Sequence, residues 1–477
     1  MSGSLIACCF FLFNFNGYWV DLNLIINMYR SFLTSLFSIL FFATNAQTGH
    51  HVILISIDGL RPDFYRDARW PAPALRRLVK QGTSAEGVRT IFPSLTYPSH
   101  TSIITGANPS RHGIFYNQPF EPQGVTGKWY WESSYIKVPT LFEAVQKKGL
   151  TSAAFYWPVS VGAPIDYNVP VIWPVGPGSD KALIQRQYTK PSGLWEELER
   201  EATGTLNRRM LNSDFASGDE NGSRIIAHII RTYKPAFVAF HILAVDHAQH
   251  DHGRNHEKVE QAVAIADHAV NNVLEAIEQA GIKQHTTVII TGDHGFVDTH
   301  SSLSPNIWLH ELGFFPKDST SDNWKAQFHP GGGSAFLFLK DRDDMQTFQS
   351  VRAKLRQLPD VYRKLFRVVE RAELDSIGAD PTAALALAPI EGVTFARHHT
   401  GEVLRRNPGG AHGYYPDIPN IRTGFIAVGP GIRKNAVIPE ISITDIAPLI
   451  AQLLGLSFTA PDGRLPENIL LPAGGRD

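Results

Sequence analysis

Carboxylates and imidazoles recur together in four short stretches of this chain: Asp58-Gly59, Asp246 through His250, Gly292-Asp293-His294-Gly295, and Gly410-Ala411-His412-Gly413. Oxygen and imidazole nitrogen are donors that a borderline divalent ion such as zinc accepts. The only cysteines, Cys8 and Cys9, lie in an N-terminal apolar stretch, so any metal site is expected to be built from His and carboxylate. Three aspartates (Asp58, Asp246, Asp293) and three histidines (His250, His294, His412) suit two tetrahedral sites with an open position each. Taken singly, each has a plainer reading. Asp58 can cap the following turn, Asp246 and His250 can belong to a solvated loop crowded by His247, His252 and His256, Asp293-His294 can be a turn, and His412 can be a loop histidine. Their joint position at the ends of apolar runs, three groups after one and His412 before one, is what favours the metal reading.

A candidate nucleophile lies in Phe92-Pro93-Ser94-Leu95-Thr96-Tyr97-Pro98-Ser99-His100. Pro98 suits a helix start, because its missing N–H would find no intrahelical acceptor there. Thr96 then falls at a helix N-terminus, where free N–H groups and the helix dipole favour a phosphoryl oxygen. The plainer reading makes Thr96 an N-cap.

The elements that must position these residues follow from apolar patterning. Val52–Ile57, Ala236–Leu243, Thr287–Thr291 and Gly424–Val428 are short, nearly continuous apolar runs, which predicts parallel strands buried on both faces. Helices are predicted from His256 to Ala280, with Val259, Val263, Ala266, Val270, Val273 and Ile277 on one stripe, and from Thr444 to Leu454. The alternation predicts a doubly wound, mostly parallel α/β sheet flanked by helices, with ligands bound beyond the carboxyl ends of its strands. The less regular stretch 300–400, with Gly331-Gly332-Gly333 and the strand Ala335–Leu339, predicts a smaller inserted subdomain or lid.

Lysine and arginine number 44 against 45 acidic residues, which points away from duplex nucleic acid as a partner. A hydrophobic content of 43% and a charged content of 19% are those of a globular protein. Met28-Tyr29-Arg30, the apolar run Phe32 to Phe42 and Ala43-Thr44-Asn45-Ala46 form the pattern of an export signal cut near Ala46. The run has about half of the ~20 residues that a membrane span needs. Residues 1–27 read as an upstream extension, with Met28 a second candidate start. The predicted division is 1–46 extension and signal, 47–460 one catalytic domain, and 461–477 a tail, in a protein that is periplasmic or extracellular. Asn221-Gly222-Ser223 is a formal glycosylation sequon.

From about residue 50 to 456 the chain resembles the nucleotide pyrophosphatase/phosphodiesterase family of the alkaline phosphatase superfamily. The resemblance rests on Ile57-Asp58-Gly59-Leu60-Arg61, Leu95 through His100, Thr105-Gly106 with His112-Gly113-Ile114, Val245-Asp246 through His250, Gly292 through Gly295, and His412-Gly413-Tyr414. Asp445-Ile446-Ala447-Pro448 with Leu453 through Leu456 is similar to the superfamily's closing helix. The resemblance implies two zinc ions, one held by Asp58, Thr96, Asp293 and His294, the other by Asp246, His250 and His412. It also implies that Asn117 hydrogen-bonds a phosphoryl oxygen, together with the Tyr97 N–H, and that Tyr97 packs against the leaving or nucleoside group. Ser99, Val159, His241 and Tyr415 depart from the family's usual Asn, Gly, aromatic and Asp or Asn, and put the substrate pocket in doubt.

The implied chemistry is attack by Thr96 on a phosphodiester or pyrophosphate, a covalent phosphothreonine, and its hydrolysis by water. Two Zn²⁺, three ligand carboxylates and a Thr96 alkoxide sum to zero charge. A dianionic monoester would want a further cation, for which Arg61 and Arg111 are candidates. The alternatives are a phosphomonoesterase or phosphonate hydrolase on the same scaffold, and a secreted binding protein that has lost activity.

Overall fold

The computed structural model describes residues 11–13, 19–21, 49–122, 126–173, 175, 180–207, 215–315 and 323–472. The chain divides into two compact units, 1–49 and 50–477. In the first, the strands Phe11–Phe13 and Trp19–Asp21 pair antiparallel. Cys8, Cys9 and the export-signal pattern lie outside the described residues.

The second unit is built on eight strands: β1 (His51–Ile57), β2 (Thr83–Arg89), β3 (Ser152–Phe155), β4 (Tyr167–Val169), β5 (Phe237–Ile242), β6 (Thr286–Thr291), β7 (Phe425–Val428) and β8 (Ala436–Ser442). They lie in the order β8-β2-β7-β6-β1-β5-β3-β4. The central strand β1 shows why both faces must be covered. Ile53, Ile55 and Ile57 pack into one hydrophobic cluster, while Val52 and Leu54 pack into another on the opposite face. The first face is covered by α2 (Phe215–Tyr233) and α4 (Glu257–Gln279), the second by α1 (Thr96–Thr105) and α5 (Ile446–Leu454). Helix α3 (Ala244–His252) follows β5 directly. The predicted stripe of α4 is buried along its whole length, and the helix begins with His256 as N-cap and ends before Gly281, whose φ is +70°.

One strand corrects the sequence reading. β7 runs antiparallel to both neighbours, β2 and β6, in an otherwise parallel sheet. This reversal places the site. A loop that precedes a parallel strand would lie at the amino edge, whereas Phe425, at the start of β7, pairs with Thr291 at the end of β6. The chain from His412 to Gly424 therefore enters the sheet at the edge where β1, β5 and β6 deliver Asp58, Asp246 and Asp293. β8 follows β7 and closes the sheet's edge beside β2.

Within 300–400, Ala326–Pro330, Ala335–Leu339, Leu385–Pro389 and Phe366–Glu370 form a separate four-stranded antiparallel sheet. The three-glycine run is the turn of its first hairpin. The Gly333 N–H donates to the His412 carbonyl, and a Cβ at Gly333 would stand 2.3 Å from the Tyr414 ring. Only residues without side chains let this hairpin press against the His412 loop.

Candidate functional site

Each imidazole of the predicted set is held by its Nδ1. His250 Nδ1 lies 3.0 Å from the Gly410 carbonyl, His294 Nδ1 3.1 Å from that of Gly295, and His412 Nδ1 2.9 Å from that of Ser94. A carbonyl only accepts, so Nδ1 carries the hydrogen and Nε2 is left as a lone pair, the tautomer that ligates a metal. Those three Nε2 atoms meet carboxylates. His294 Nε2 is 3.0 Å from Asp293 Oδ2 and 3.4 Å from Asp58 Oδ1; His250 Nε2 is 3.5 Å from Asp246 Oδ2, and His412 Nε2 is 3.8 Å from Asp246 Oδ1. Asp246 and His250 reach one place because they stand four residues apart on α3, and so on one helix face. The His294 and His412 rings stack with centroids 3.6 Å apart.

Two groups have donor atoms close enough to share a cation: Asp246 with His250 and His412, and Asp58 with Asp246 and His294. Asp246 belongs to both, which departs from the two separate ligand sets of the sequence reading and brings the two positions side by side. The chemistry of the set asks for positive charge. Asp58 Oδ1, Asp246 Oδ1, Asp293 Oδ2 and His294 Nε2 are buried and have no hydrogen-bond partner among the described residues. Burial, then the charges of Asp246 and Asp293, push the Asp58 carboxyl well above its usual range. Burial alone would raise Asp293 too, but the imidazoles of His294, His100 and His241 outweigh it and hold that group well below. Burial, then the His294 and His250 rings, keeps His412 neutral well below the usual histidine range. Divalent cations would relieve both the like-charge repulsion and the orphaned atoms.

Thr96 is the first residue of α1 and is partly exposed; Leu95 is the N-cap and makes no side-chain cap. The Thr96 side chain is thus not needed to cap the helix. Asn117 Oδ1 accepts the Tyr97 N–H at 2.9 Å. That bond corrects one expectation, since the Tyr97 N–H is already engaged, and it turns the Asn117 amide so that Nδ2 remains as the donor. Tyr97 itself is 1% exposed beneath Trp129, whose ring centroid is 5.1 Å away, so Trp129 takes over as the accessible aromatic face.

A cavity of about 360 Å³ adjoins these residues, lined by Asn117, His250, His412, Trp129, His329 and Arg397 among others. Trp129, His329 and Arg397 carry no motif that sequence reading could have used. The two cations proposed from sequence are committed elsewhere. Arg61 is 1% exposed and bonded to Asp63, Gln249 and the Arg254 carbonyl, and Arg111 pairs with Asp462.

Residues 52–415 match the type I phosphodiesterase/nucleotide pyrophosphatase family. The chain belongs to that family. It is 23% identical over 418 residues to ectonucleotide pyrophosphatase/phosphodiesterase family member 1 of Rattus norvegicus, an alignment covering 85% of this chain and 40% of the relative. It is 22% identical over 418 residues to bis(5'-adenosyl)-triphosphatase ENPP4 of Homo sapiens, covering 85% and 78%. Murine ectonucleotide pyrophosphatase/phosphodiesterase 5, solved as an inactive variant in complex with AMP, superposes with a TM-score of 0.61 at 18% identity, over 87% of this chain and 97% of that one. At that identity the likeness shows the fold.

The departures from the family's pattern fall away from the candidate ligands, with one exception. Ser99 is buried against Thr90, and Tyr415 packs against Phe92 and under the Arg367 guanidinium. Val159 has φ +55°, the left-handed conformation that glycine adopts without cost. His241 is the exception. It is not a cavity residue but stands behind Asp58, with Nε2 3.1 Å from Asp58 Oδ2.

Proposed function

We propose that this chain is a phosphoric diester hydrolase acting on nucleotide-like phosphodiesters or pyrophosphates, with Thr96 as nucleophile. The observation that carries the reading is the convergence of Asp58, Asp246, His250, Asp293, His294 and His412 at the sheet edge next to the start of α1. Asp58, Asp293, His294 and Thr96 would hold one zinc ion and Asp246, His250 and His412 a second. When bound, the ions would supply Lewis-acid stabilisation of developing charge and a lowered pKa at a coordinated hydroxyl.

The chain's own groups account for the rest. Thr96 Oγ1 forms the new bond to phosphorus, giving up its proton, as the leaving oxygen departs with the electron pair of the broken P–O bond and takes a proton. Water then displaces Thr96 from the phosphothreonine and restores its hydroxyl. Asn117 Nδ2 would donate to a non-bridging oxygen through both steps, a role supported by the Tyr97 N–H holding the opposite end of its amide. Trp129 supplies an aromatic wall for the rest of the substrate. AMP in the murine neighbour and the name of the human relative support a nucleotide substrate. Export would suit the ectonucleotide relatives, and N-terminal sequencing of mature protein beginning near Gln47 would support it.

Arg397 favours keeping monoesters in view, since it stands at the cavity as a cation that the sequence did not reveal. Purified protein with zinc should cleave bis-nitrophenyl phosphate and a nucleotide nitrophenyl ester with higher kcat/KM than nitrophenyl phosphate. Greater efficiency on the monoester would replace the diesterase reading with the monoesterase one.

A further inference from the structure

We propose that a second cavity beside the site receives the far half of the diester and selects a half that carries a phosphate of its own, a proposal resting on the phosphodiesterase reading above. This cavity, of about 430 Å³, shares His250, Gly332, Phe395 and Ala396 with the one already described. Asn117 and Trp129 line only the first, whereas Arg405, Arg406 and His398 line only the second. A diester has two halves flanking one phosphorus. With one half against Trp129, the other has the space beyond His250 to enter, and that space is of the size of small-ligand pockets.

The second cavity is positive. Among the described residues no Asp or Glu lines it. Arg405 is half-buried and donates to the Thr400 carbonyl at 3.3 Å; Arg406 is exposed, and among the described residues neither pairs with a carboxylate. Guanidinium groups so placed match a phosphate through parallel charge-assisted hydrogen bonds. The backbone accounts for where they stand. Both lie on the strand Leu404–Ala411, which pairs antiparallel with Val297–Leu303 and leads straight to His412. Gly410 of the same strand supplies the carbonyl that holds His250. The pairing slips between Arg406 and Gly409, so that Asn407 and Pro408 stand opposite His300 alone, a bulge of the kind that re-aims side chains beside active sites. Asn407 Nδ2 donates to Thr394 Oγ1 at 3.0 Å and pins the bulge to the strand Val393–Phe395. The four residues from Arg406 to Gly410 span at most ~13 Å at the rise of a strand. An anion at these arginines is thus a second one, apart from the scissile phosphate beside Asn117 and at a separation that half a dinucleotide bridges.

NADP and NAD test this, since they share the scissile pyrophosphate and differ by one phosphate on a ribose. Wild-type protein with zinc should cleave NADP with a kcat/KM about 10-fold or more above that for NAD, the order that hydrogen bonds to a charged group contribute. In the double variant Arg405→Gln/Arg406→Gln that ratio should fall to within about 2-fold, through a raised KM for NADP, with NAD and bis-nitrophenyl phosphate cleaved within about 2-fold of wild type. A wild-type kcat/KM for NADP no greater than for NAD, or a ratio unchanged by the substitutions, overturns the proposal. So does failure to cleave either dinucleotide by protein that cleaves bis-nitrophenyl phosphate. Should the double variant not fold, the exposed Arg406→Gln alone serves, read by the same ratio. Wild-type protein inactive on bis-nitrophenyl phosphate and on both dinucleotides would instead overturn the phosphodiesterase reading itself.

Discussion

Substituting Thr96 is the sharpest test at the scale of single residues. Its hydroxyl caps nothing and Leu95 occupies the N-cap, so Thr96→Ala should fold normally. Turnover should fall by at least about a thousandfold, as for other lost nucleophiles. Zinc content should stay near that of wild type, because three of the four ligands proposed for that position remain. Elemental analysis beside a diester assay checks both halves of the statement, and retained turnover would refute the nucleophile. The corrections also sit at this scale. Arg61 and Arg111 qualify by charge as partners of a dianionic monoester, yet burial and partners commit Arg61 to Asp63, Gln249 and the Arg254 carbonyl and Arg111 to Asp462.

Helices α2 and α3 show how one element places the ligands of another. Asp219 of α2 accepts the N–H groups of Leu243 and Ala244, each at 2.8 Å, and so holds the start of the helix that carries Asp246 and His250. Burial pushes the Asp219 carboxyl from 3.8 up to about 7, against the lowering effect of those two N–H bonds. The unfolded chain releases this proton near pH 4 and the folded protein near pH 7. Across that window the unfolded state binds fewer protons, so the group's contribution to stability is lost as pH rises, by about 4 kcal/mol at most. Thermal unfolding of metal-free wild type and Asp219→Asn between pH 4 and 8 should show the wild type losing stability that the variant keeps; parallel profiles would contradict it. The same helix disposes of the sequon. Asn221, Gly222 and Ser223 are buried in α2, and a Cβ at Gly222 would stand 2.5 Å from the Phe155 ring. Mass spectrometry of protein made in a glycosylating host should therefore find Asn221 unmodified.

For the whole molecule, the candidate metal centre joins regions that are far apart in sequence. Its candidate ligands follow β1, β5 and β6 and precede β7, and the Ser94 carbonyl holds His412 from the loop before α1. Binding to this folded arrangement alone would stabilise the protein by mass action, by about 4 kcal/mol with free zinc at a thousand times its Kd. A strong chelator should therefore lower the melting temperature by several degrees, and readdition of zinc should restore it. An unchanged melting curve would count against resident cations. Among the described residues no helix is long and apolar enough to cross a membrane.

The sequence alone was enough for the fold class, for the four most apolar strands of the central sheet and for a list of candidate donors. Continuous apolar runs such as Val52–Ile57 can be stable only between two helical layers, and a helix as periodic as that from Glu257 to Gln279 has one face to bury. Ligand chemistry is legible in the same way, since Asp and His carry it in their residue type. What local pattern could not decide was strand direction, partner and exposure. An apolar run is the same read in either direction, so the reversal of β7 that brings His412 to the edge carrying Asp58, Asp246 and Asp293 emerges only from pairing. Four strands gave no such signal: Thr83–Arg89 and Ala436–Ser442 are broken by Glu, Gly or Pro, and Ser152–Phe155 and Tyr167–Val169 are short, so their burial comes from neighbours. Trp129 and Arg397 acquire roles only through contacts with residues far off in the chain, and such contacts are a property of the packed molecule.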